Sequence, residues 1–415
     1  MRVGFAREDG ALSCDGVSLE EIARVHGTPA YVYSRAALEA DYAAYDRAFA
    51  EIPHRVCYAL KANPAGALLR ILAALGAGAD VVSAFELLAA LRAGFEPEDI
   101  VFSGAGKSDL ELALGIEQGI GCFNAESEEE IRRISEAARA RDRTVRVGLR
   151  VNPDIDARSH PYISTGLREN KFGVDIAEAP DILRRARALP GISVVGVQCH
   201  IGSQIKELDP LVQAVGEVVE LSRRLLAEGF ALETVDLGGG LGIDYHHGGR
   251  LPGPTQFAAR VMPLLRELPL HVLLEPGRSI VARAGALLTR VLYVKENRGR
   301  TFVIVDAGMN DLLRPALYDA HHRIEPVLSH GRPAREVDVV GPVCETGDFL
   351  ARGRELEEVS PGDLLAVRDA GAYGFCMSSN YNLRPRAAEV LVDAGDARLI
   401  RRRETFEDLI RTEVV

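Results

Sequence analysis

Residues 55–94, RVCYALKANPAGALLRILAALGAGADVVSAFELLAALRAG, decide the fold. The stretch opens on a short apolar run, 55–60, that ends against a lysine. Residues 64–75 then place apolar side chains three and four apart with a charge between them, as an amphipathic helix requires. A second apolar run, 79–82, and a second helical stretch, 86–93, follow at once. The pattern reads as two successive strand–helix units.

The same rhythm continues to about residue 276. Further strand candidates are 100–102, 120–123, 145–151, 194–199, 234–237 and 271–274, separated by helical stretches such as 127–141 and 210–228. Ser127 with Glu130 reads as a capping box. Eight near-continuous apolar strands alternating with helices match a closed (β/α)8 TIM barrel better than an open doubly wound sheet, an alternative that counting leaves open. After about residue 285 the texture changes to short alternating runs at 286–295, 301–306, 334–340, 363–368 and 387–392, which predict a mostly-β domain. The first 34 residues, with a strand-like 30–33, are too short to fold alone. The expected division is a barrel over 35–284 and a β-rich domain from 1–34 and 285–415.

Composition narrows the function. The chain has 415 residues, 47% hydrophobic and 26% charged, an ordinary globular profile with a net charge of −11. No arginine-rich stretch interleaves with aromatics, so nucleic acid is not an expected partner. Six cysteines, at 14, 57, 122, 199, 344 and 376, form no CxxC pair; a reducing, cytoplasmic compartment is expected. The opening MRVGFAREDG has no apolar leader core and no long apolar run follows, so neither export nor a membrane span is expected. His246-His247 and His321-His322 read as surface-loop pairs without a third ligand, and no metal is expected. Gly104-Ala105-Gly106-Lys107-Ser108 imitates a nucleotide phosphate loop, but Val101 stands where that loop needs glycine.

In such a barrel, chemistry gathers where strands end. The first strand ends in Lys61, the sixth in Cys199-His200, the seventh in Gly238-Gly239-Gly240-Leu241-Gly242 and the eighth in Leu274-Glu275-Pro276-Gly277-Arg278. Each has a bland reading and a chemical one. Lys61 either snorkels to the rim or offers a desolvated, neutral amine for a Schiff base. The glycines make a tight turn or let backbone N–H groups approach a phosphate monoester. Glu275, a carboxylate in poor solvent, pairs with Arg278 or with a protonated ring, and His200 is a hydrogen-bonded core residue or a flat face for that ring. Together on one rim, an amine, phosphate glycines, a carboxylate and an imidazole meet the requirements of pyridoxal 5'-phosphate.

The segments Tyr58 to Asn63 (YALKAN), His200 to Gln204 (HIGSQ), Gly238 to Gly240, Glu275 to Arg278 (EPGR) and Gly341 to Glu345 (GPVCE), in that order, resemble the signature set of the fold-type III pyridoxal-phosphate-dependent decarboxylases. The resemblance runs nearly end to end and implies a barrel plus a C-terminal β domain of the alanine racemase and group IV decarboxylase kind. It implies that Lys61 binds the cofactor covalently, His200 stacks on its ring, Glu275 holds the ring nitrogen, and Ser203, Gly238, Gly239, Gly240, Gly277, Arg278 and Tyr373 surround the phosphate. It also implies that Arg278, Arg314, Tyr318, Glu345 and Tyr373 bind substrate, and that Cys344 is a catalytic proton donor supplied across a homodimer with shared sites. Arg314 and Glu345, which suit a distal amino-acid head, favour meso-2,6-diaminopimelate over ornithine. The implied activity is decarboxylation to L-lysine and CO2, the last step of lysine biosynthesis. One departure stands out: Ala84 and Phe85 replace two glycines that the family often carries before Glu86. The rivals are a Schiff-base aldolase or metal hydrolase on the same barrel, another pyridoxal-phosphate enzyme (an ornithine- or arginine-type decarboxylase or an alanine racemase), and a homologue that has lost catalysis. An aldolase needs no phosphate glycines, a hydrolase wants HxH where Lys61 stands, a racemase of this fold places arginine at the ring nitrogen, and lost catalysis predicts loss of Lys61 or Cys344.

Overall fold

The computed structural model describes residues 3–157, 165, 170–249 and 251–414. Two compact units emerge: Asp41–Ile243 with Arg250–Ser279, and Met1–Ala40 with Asp244–Gly249 and Ile280–Val415.

The first unit is the barrel. Its strands are β1 (His54–Ala59), β2 (Gly78–Val81), β3 (Ile100–Phe102), β4 (Cys122–Ala125), β5 (Val145–Asn152), β6 (Ile192–Cys199), β7 (Thr234–Asp236) and β8 (His271–Leu274). All eight pair in parallel. Register partners such as Cys57 with Gly78, Val101 with Cys122, Phe123 with Val147 and Val197 with Val235 run round the sheet, and Val272 opposite His54 closes it. A two-residue strand, Val174–Asp175, adds to the edge of β5.

Helices follow β1 to β7: α1 (Gly66–Ala74), α2 (Ala84–Ala93), α3 (Asp109–Gln118), α4 (Glu128–Arg139), α5 (Ala179–Arg187), α6 (Leu208–Ala227) and α7 (Pro254–Leu265). Local chemistry sets their ends. Ser83, Ser108 and Ser127 each accept a backbone N–H three residues on, at the starts of α2, α3 and α4, while Gly94 and Gly119 close α2 and α3 in left-handed conformation. The full capping box is at Ser108 and Glu111. Ser127 caps α4 as read, but the Glu130 carboxylate turns instead to the Glu126 N–H and to Lys107. In α6, Leu211, Ala214, Val215, Val218, Val219 and Leu225 form the apolar stripe that is buried.

Inside the barrel the pleat separates two layers. Cys57, Val101, Cys122, Val195 and Leu273 pack as an apolar floor. Two residues further along three of these strands stand Ser103, Asn124 and Glu275, the start of a polar layer. Gly148 makes room for it, since a Cβ there would lie 2.8 Å from Asn124 Oδ1.

The second unit is β-rich. Its sheet runs β13 (Phe349–Glu357), β12 (Ala334–Val340), β10 (Arg300–Val305), β9 (Gly285–Asn297), then Ala30–Ser34, β15 (Ala388–Asp393) and β16 (Asp396–Arg401); β14 (Leu364–Val367) pairs with β9 and with β11 (Ile324–Pro326). Strands β11, β13 and β16, and a small sheet over residues 5–18, go beyond the runs read from the sequence. Strand β13 carries ARGRELE, whose outward charges hide its pleat. Among the described residues no helix is long and apolar enough to cross a membrane.

Phe102 and Phe123 stack with ring centroids 6.0 Å apart, both fully buried. Phe123→Ala is expected to lower unfolding stability by about 3–5 kcal/mol in urea titration; a loss below about 1 kcal/mol would show that the barrel wall does not depend on this pair.

Candidate active site

The loop after β1 makes one turn of 3-10 helix, Leu60–Ala62, that puts Lys61 at the strand end. Its side chain is 37% exposed and its Nζ lies 2.5 Å from Asp80 Oδ2 on β2, a carboxylate with no exposure at all. The expected neutral, desolvated amine is therefore not what this structure holds. Lys61 is an ammonium ion-paired to a buried acid, because an isolated carboxylate in the barrel interior would be far more costly than the pair.

Asp80 belongs to the polar layer. Glu275, just past β8, accepts from Gln198 Nε2 at 2.9 Å, Ser103 Oγ at 3.3 Å and Asn124 Nδ2 at 3.4 Å. Asn124 Nδ2 also donates to Asp236 Oδ2 at 3.2 Å, and Asp236 Oδ1 accepts from the Gly238 N–H at 2.8 Å. Burial, Asp236 and Asp80 together push the Glu275 carboxyl well above the usual range, and burial lifts Asp236 to about 6. The two buried acids thus favour sharing a proton over carrying two charges. Arg278, the partner that its spacing from Glu275 suggested, turns instead to Ser203 Oγ, 3.0 Å from Nη2.

His200 sits above this layer. Its Nδ1 accepts from the Gly239 N–H at 3.1 Å, so the ring proton is on Nε2. Burial, with the cations Arg150 and Lys61, holds the imidazole neutral. Arg150 is itself fixed by Glu126 at 2.7 Å and reaches the His200 carbonyl at 3.3 Å.

The glycines are required by close approach. A Cβ on Gly238 would fall 2.4 Å from the Cys199 carbonyl, on Gly239 2.3 Å from that of Glu275, and on Gly240 2.4 Å from that of Gly202. Gly277 is hemmed in by Ala62, 2.9 Å from its hypothetical Cβ. Lys107 of the false phosphate loop is buried against Glu130 at 2.6 Å and the Asn124 carbonyl at 2.8 Å. Ala84 and Phe85 form the first turn of α2, with Phe85 82% exposed. Next to them burial pushes the Glu86 carboxyl up to about 7.

These residues fit pyridoxal phosphate on the structure's own terms. A primary amine, a flat neutral ring, a buried carboxyl and a buried arginine with a hydroxyl belong to one barrel, and Asp80 Oδ1 and Gln198 Oε1 remain buried without a hydrogen-bond partner. Of the residues expected from sequence, Lys61, His200, Ser203, the glycines, Glu275 and Arg278 all lie in the barrel unit. Sequence reasoning missed Asp80, Ser103, Asn124, Gln198 and Asp236, whose one signal is a polar residue inside or directly after an apolar strand.

The other five expected residues lie in the β-rich unit. Arg314 opens the short helix Arg314–Tyr318 and is buried; its Nη1 lies 2.8 Å from His322 Nε2, and its guanidinium 4.7 Å from the centre of the Tyr245 ring. Tyr318 and Tyr373 are half-buried, Tyr373 in left-handed conformation. Cys344 and Glu345 are exposed; the Cys344 N–H donates to Asn382 Oδ1 at 2.8 Å and Glu345 accepts from Tyr381 at 3.0 Å. One reading needs correction: His322 is wholly buried rather than on a surface loop, because it is the acceptor for Arg314. Cys376 is exposed. His246 and His321 stack at 3.9 Å, and His247 pairs with Asp369 at 2.7 Å. No metal-holding cluster of three or more His, Cys, Asp or Glu occurs among the described residues.

The polar layer makes stability depend on pH. Asp236 moves from 3.8 to about 6 on folding, so its contribution is present at acid pH and is lost as pH rises through that window. In the cofactor-free protein this contribution falls as pH rises between these values, so Asp236→Asn should shift the pH slope of thermal stability upward over that window relative to wild type. An unchanged slope would contradict the assignment.

The model of the pyridoxal-dependent decarboxylase pyridoxal-binding domain matches residues 35–282. The diaminopimelate decarboxylase of Pseudomonas aeruginosa is 50% identical over 409 residues, 99% of this chain and 98% of that one. Among solved structures, the diaminopimelate decarboxylase of Helicobacter pylori complexed with L-lysine is 42% identical with a TM-score of 0.91, covering 94% of this chain and 98% of that one. That of M. jannaschii in complex with L-lysine is 39% identical with a TM-score of 0.95, covering 99% and 98%. With a family model over more than half its length and near-half identity along almost all of it, the chain belongs to the diaminopimelate decarboxylase family of pyridoxal-dependent decarboxylases.

Proposed function

We propose that the protein decarboxylates meso-2,6-diaminopimelate to L-lysine and CO2 with pyridoxal 5'-phosphate, the closing step of lysine biosynthesis. The observation that carries this is the Lys61 amine, the His200 ring and the buried Glu275 carboxyl enclosed in one barrel, in a chain nearly half identical to relatives that bear the decarboxylase name.

Each residue then has a task. Lys61 anchors the cofactor through Nζ, and Asp80 holds that nitrogen in place. His200 offers an uncharged ring face, which stacks without competing for the cofactor's charge. Glu275 would hold the ring nitrogen, its carboxylate accepting from the protonated ring, with Asp236 beside it as a second buried acid. Gly238 to Gly240, Gly277, Ser203, Arg278 and Tyr373 form the phosphate site. Bound pyridoxal phosphate supplies a ring that accepts the electron pair left when CO2 departs. Cys344 then delivers a proton from Sγ to the carbon that lost its carboxylate.

Arg314, with Arg278, Tyr318, Tyr373 and Glu345, binds the substrate's unreacted head. A planar guanidinium selects a carboxylate by geometry, and Glu345 matches the ammonium beside it. We further propose a head-to-tail homodimer in which Cys344 and Glu345 serve the partner's site, supported by their exposure. A cytoplasmic location is supported by six cysteines that form no disulfide. We take 35–284 as the barrel domain and 1–34 with 285–415 as the β-rich domain, supported by the family match over 35–282.

The test is CO2 release from meso-diaminopimelate, ornithine and arginine offered separately. Only the first should react, and Lys61→Ala should abolish the reaction; release from ornithine at a comparable rate would overturn the substrate assignment. Arg314→Ala should raise KM by about tenfold or more, the equivalent of one charge-assisted hydrogen bond, and an unchanged KM would remove Arg314 from the site.

A further inference from the structure

Arg314 is held in an unusual way. Its guanidinium can only donate, so His322 Nε2, 2.8 Å from Nη1, must be the acceptor and carry no proton. The other ring nitrogen, Nδ1, lies 2.8 Å from the Arg368 carbonyl and must therefore donate. The two contacts fix His322 as a neutral imidazole with its proton on Nδ1. The ring has no exposure. Tyr245 packs edge-on against it at 5.2 Å and turns its own face to the Arg314 guanidinium. The His322 carbonyl is tied down by Arg354 at 2.7 Å.

We infer that His322 is a positioning residue that aims Arg314 at the substrate's distal carboxylate without neutralising it, with Tyr245 as the second wall. An aspartate or glutamate in this position would orient the guanidinium equally well. It would also cancel the charge and compete with the incoming carboxylate. A neutral acceptor fixes geometry and leaves the cation's attraction for an anion intact. An aromatic face does the same from the side. The inference rests on the reading of Arg314 given above and extends it to two residues that do not touch substrate.

The experiment is calorimetric titration of the holoenzyme with L-lysine, which retains the distal carboxylate, and with cadaverine, which lacks it. Wild type, Arg314→Ala, His322→Phe, His322→Gln and His322→Glu are compared. Arg314→Ala and His322→Phe should weaken L-lysine by about tenfold and leave cadaverine within about twofold. His322→Gln, which restores an uncharged acceptor, should recover most of the loss. His322→Glu keeps an acceptor but adds a charge, and should weaken L-lysine at least as much as the phenylalanine variant. If Arg314→Ala has no effect, the reading of Arg314 fails. If Arg314→Ala weakens L-lysine and His322→Phe does not, the inference alone fails, as it does if His322→Phe weakens both ligands equally. Should His322→Phe not fold, His322→Glu decides: L-lysine affinity equal to wild type overturns the inference.

Discussion

Three carboxylates, Asp80, Asp236 and Glu275, are enclosed by a ring of eight strands, and the barrel cannot close over them with all three charged. Water is excluded, so each charge must be paired or neutralised by a proton. Lys61 neutralises Asp80. Asn124 bridges the other two with one amide nitrogen, and burial with the remaining repulsion pushes the Glu275 carboxyl well above the usual range. The layer is short of positive charge by design of its residues, and a protonated pyridine ring is a cation of the shape it can take. The neutral state of His200 follows from the same arithmetic, because burial beside Arg150 and Lys61 leaves no room for another positive charge there.

The barrel was legible because its strands are buried on both faces and therefore read as apolar runs, and because lysine, histidine, glycine and glutamate interrupt those runs where strands end. The polar layer was less legible. Asp80 and Asp236 sit within the runs and Asn124 just past one, and which of them meet is settled only when the sheet closes. Gln198 is harder still: the register of β6 shifts between Val194 and Gly196, so simple alternation does not point it inward. The pairing of Glu275 with Arg278 failed for a related reason. Three residues after a strand end the chain has already turned, and Arg278 meets Ser203 instead.

In the β-rich unit the expected residues came from motif resemblance, and the groups that support them did not. The loop carrying Cys344 is pinned from beneath by Asp348, which accepts from the Val343 and Met309 N–H groups at 2.6 Å each, and from the side by Asn382. Asn382 and Leu383 both adopt left-handed backbone, a strained arrangement for leucine, which places the asparagine amide against Cys344. His322 and Arg314 show the same logic with a neutral acceptor beneath a cation. Cys344 and Arg314 thus each rest on hydrogen-bonded neighbours that no motif pointed to.

The measurement that bears most directly on this account is reduction of the holoenzyme with borohydride followed by peptide mass spectrometry. The chain has five lysines, at 61, 107, 171, 206 and 295. The account predicts a single pyridoxyl adduct, on Lys61, since Lys107 is locked against Glu130 in the barrel wall. An adduct on another lysine, or none on Lys61 in protein that carries the cofactor, would contradict it.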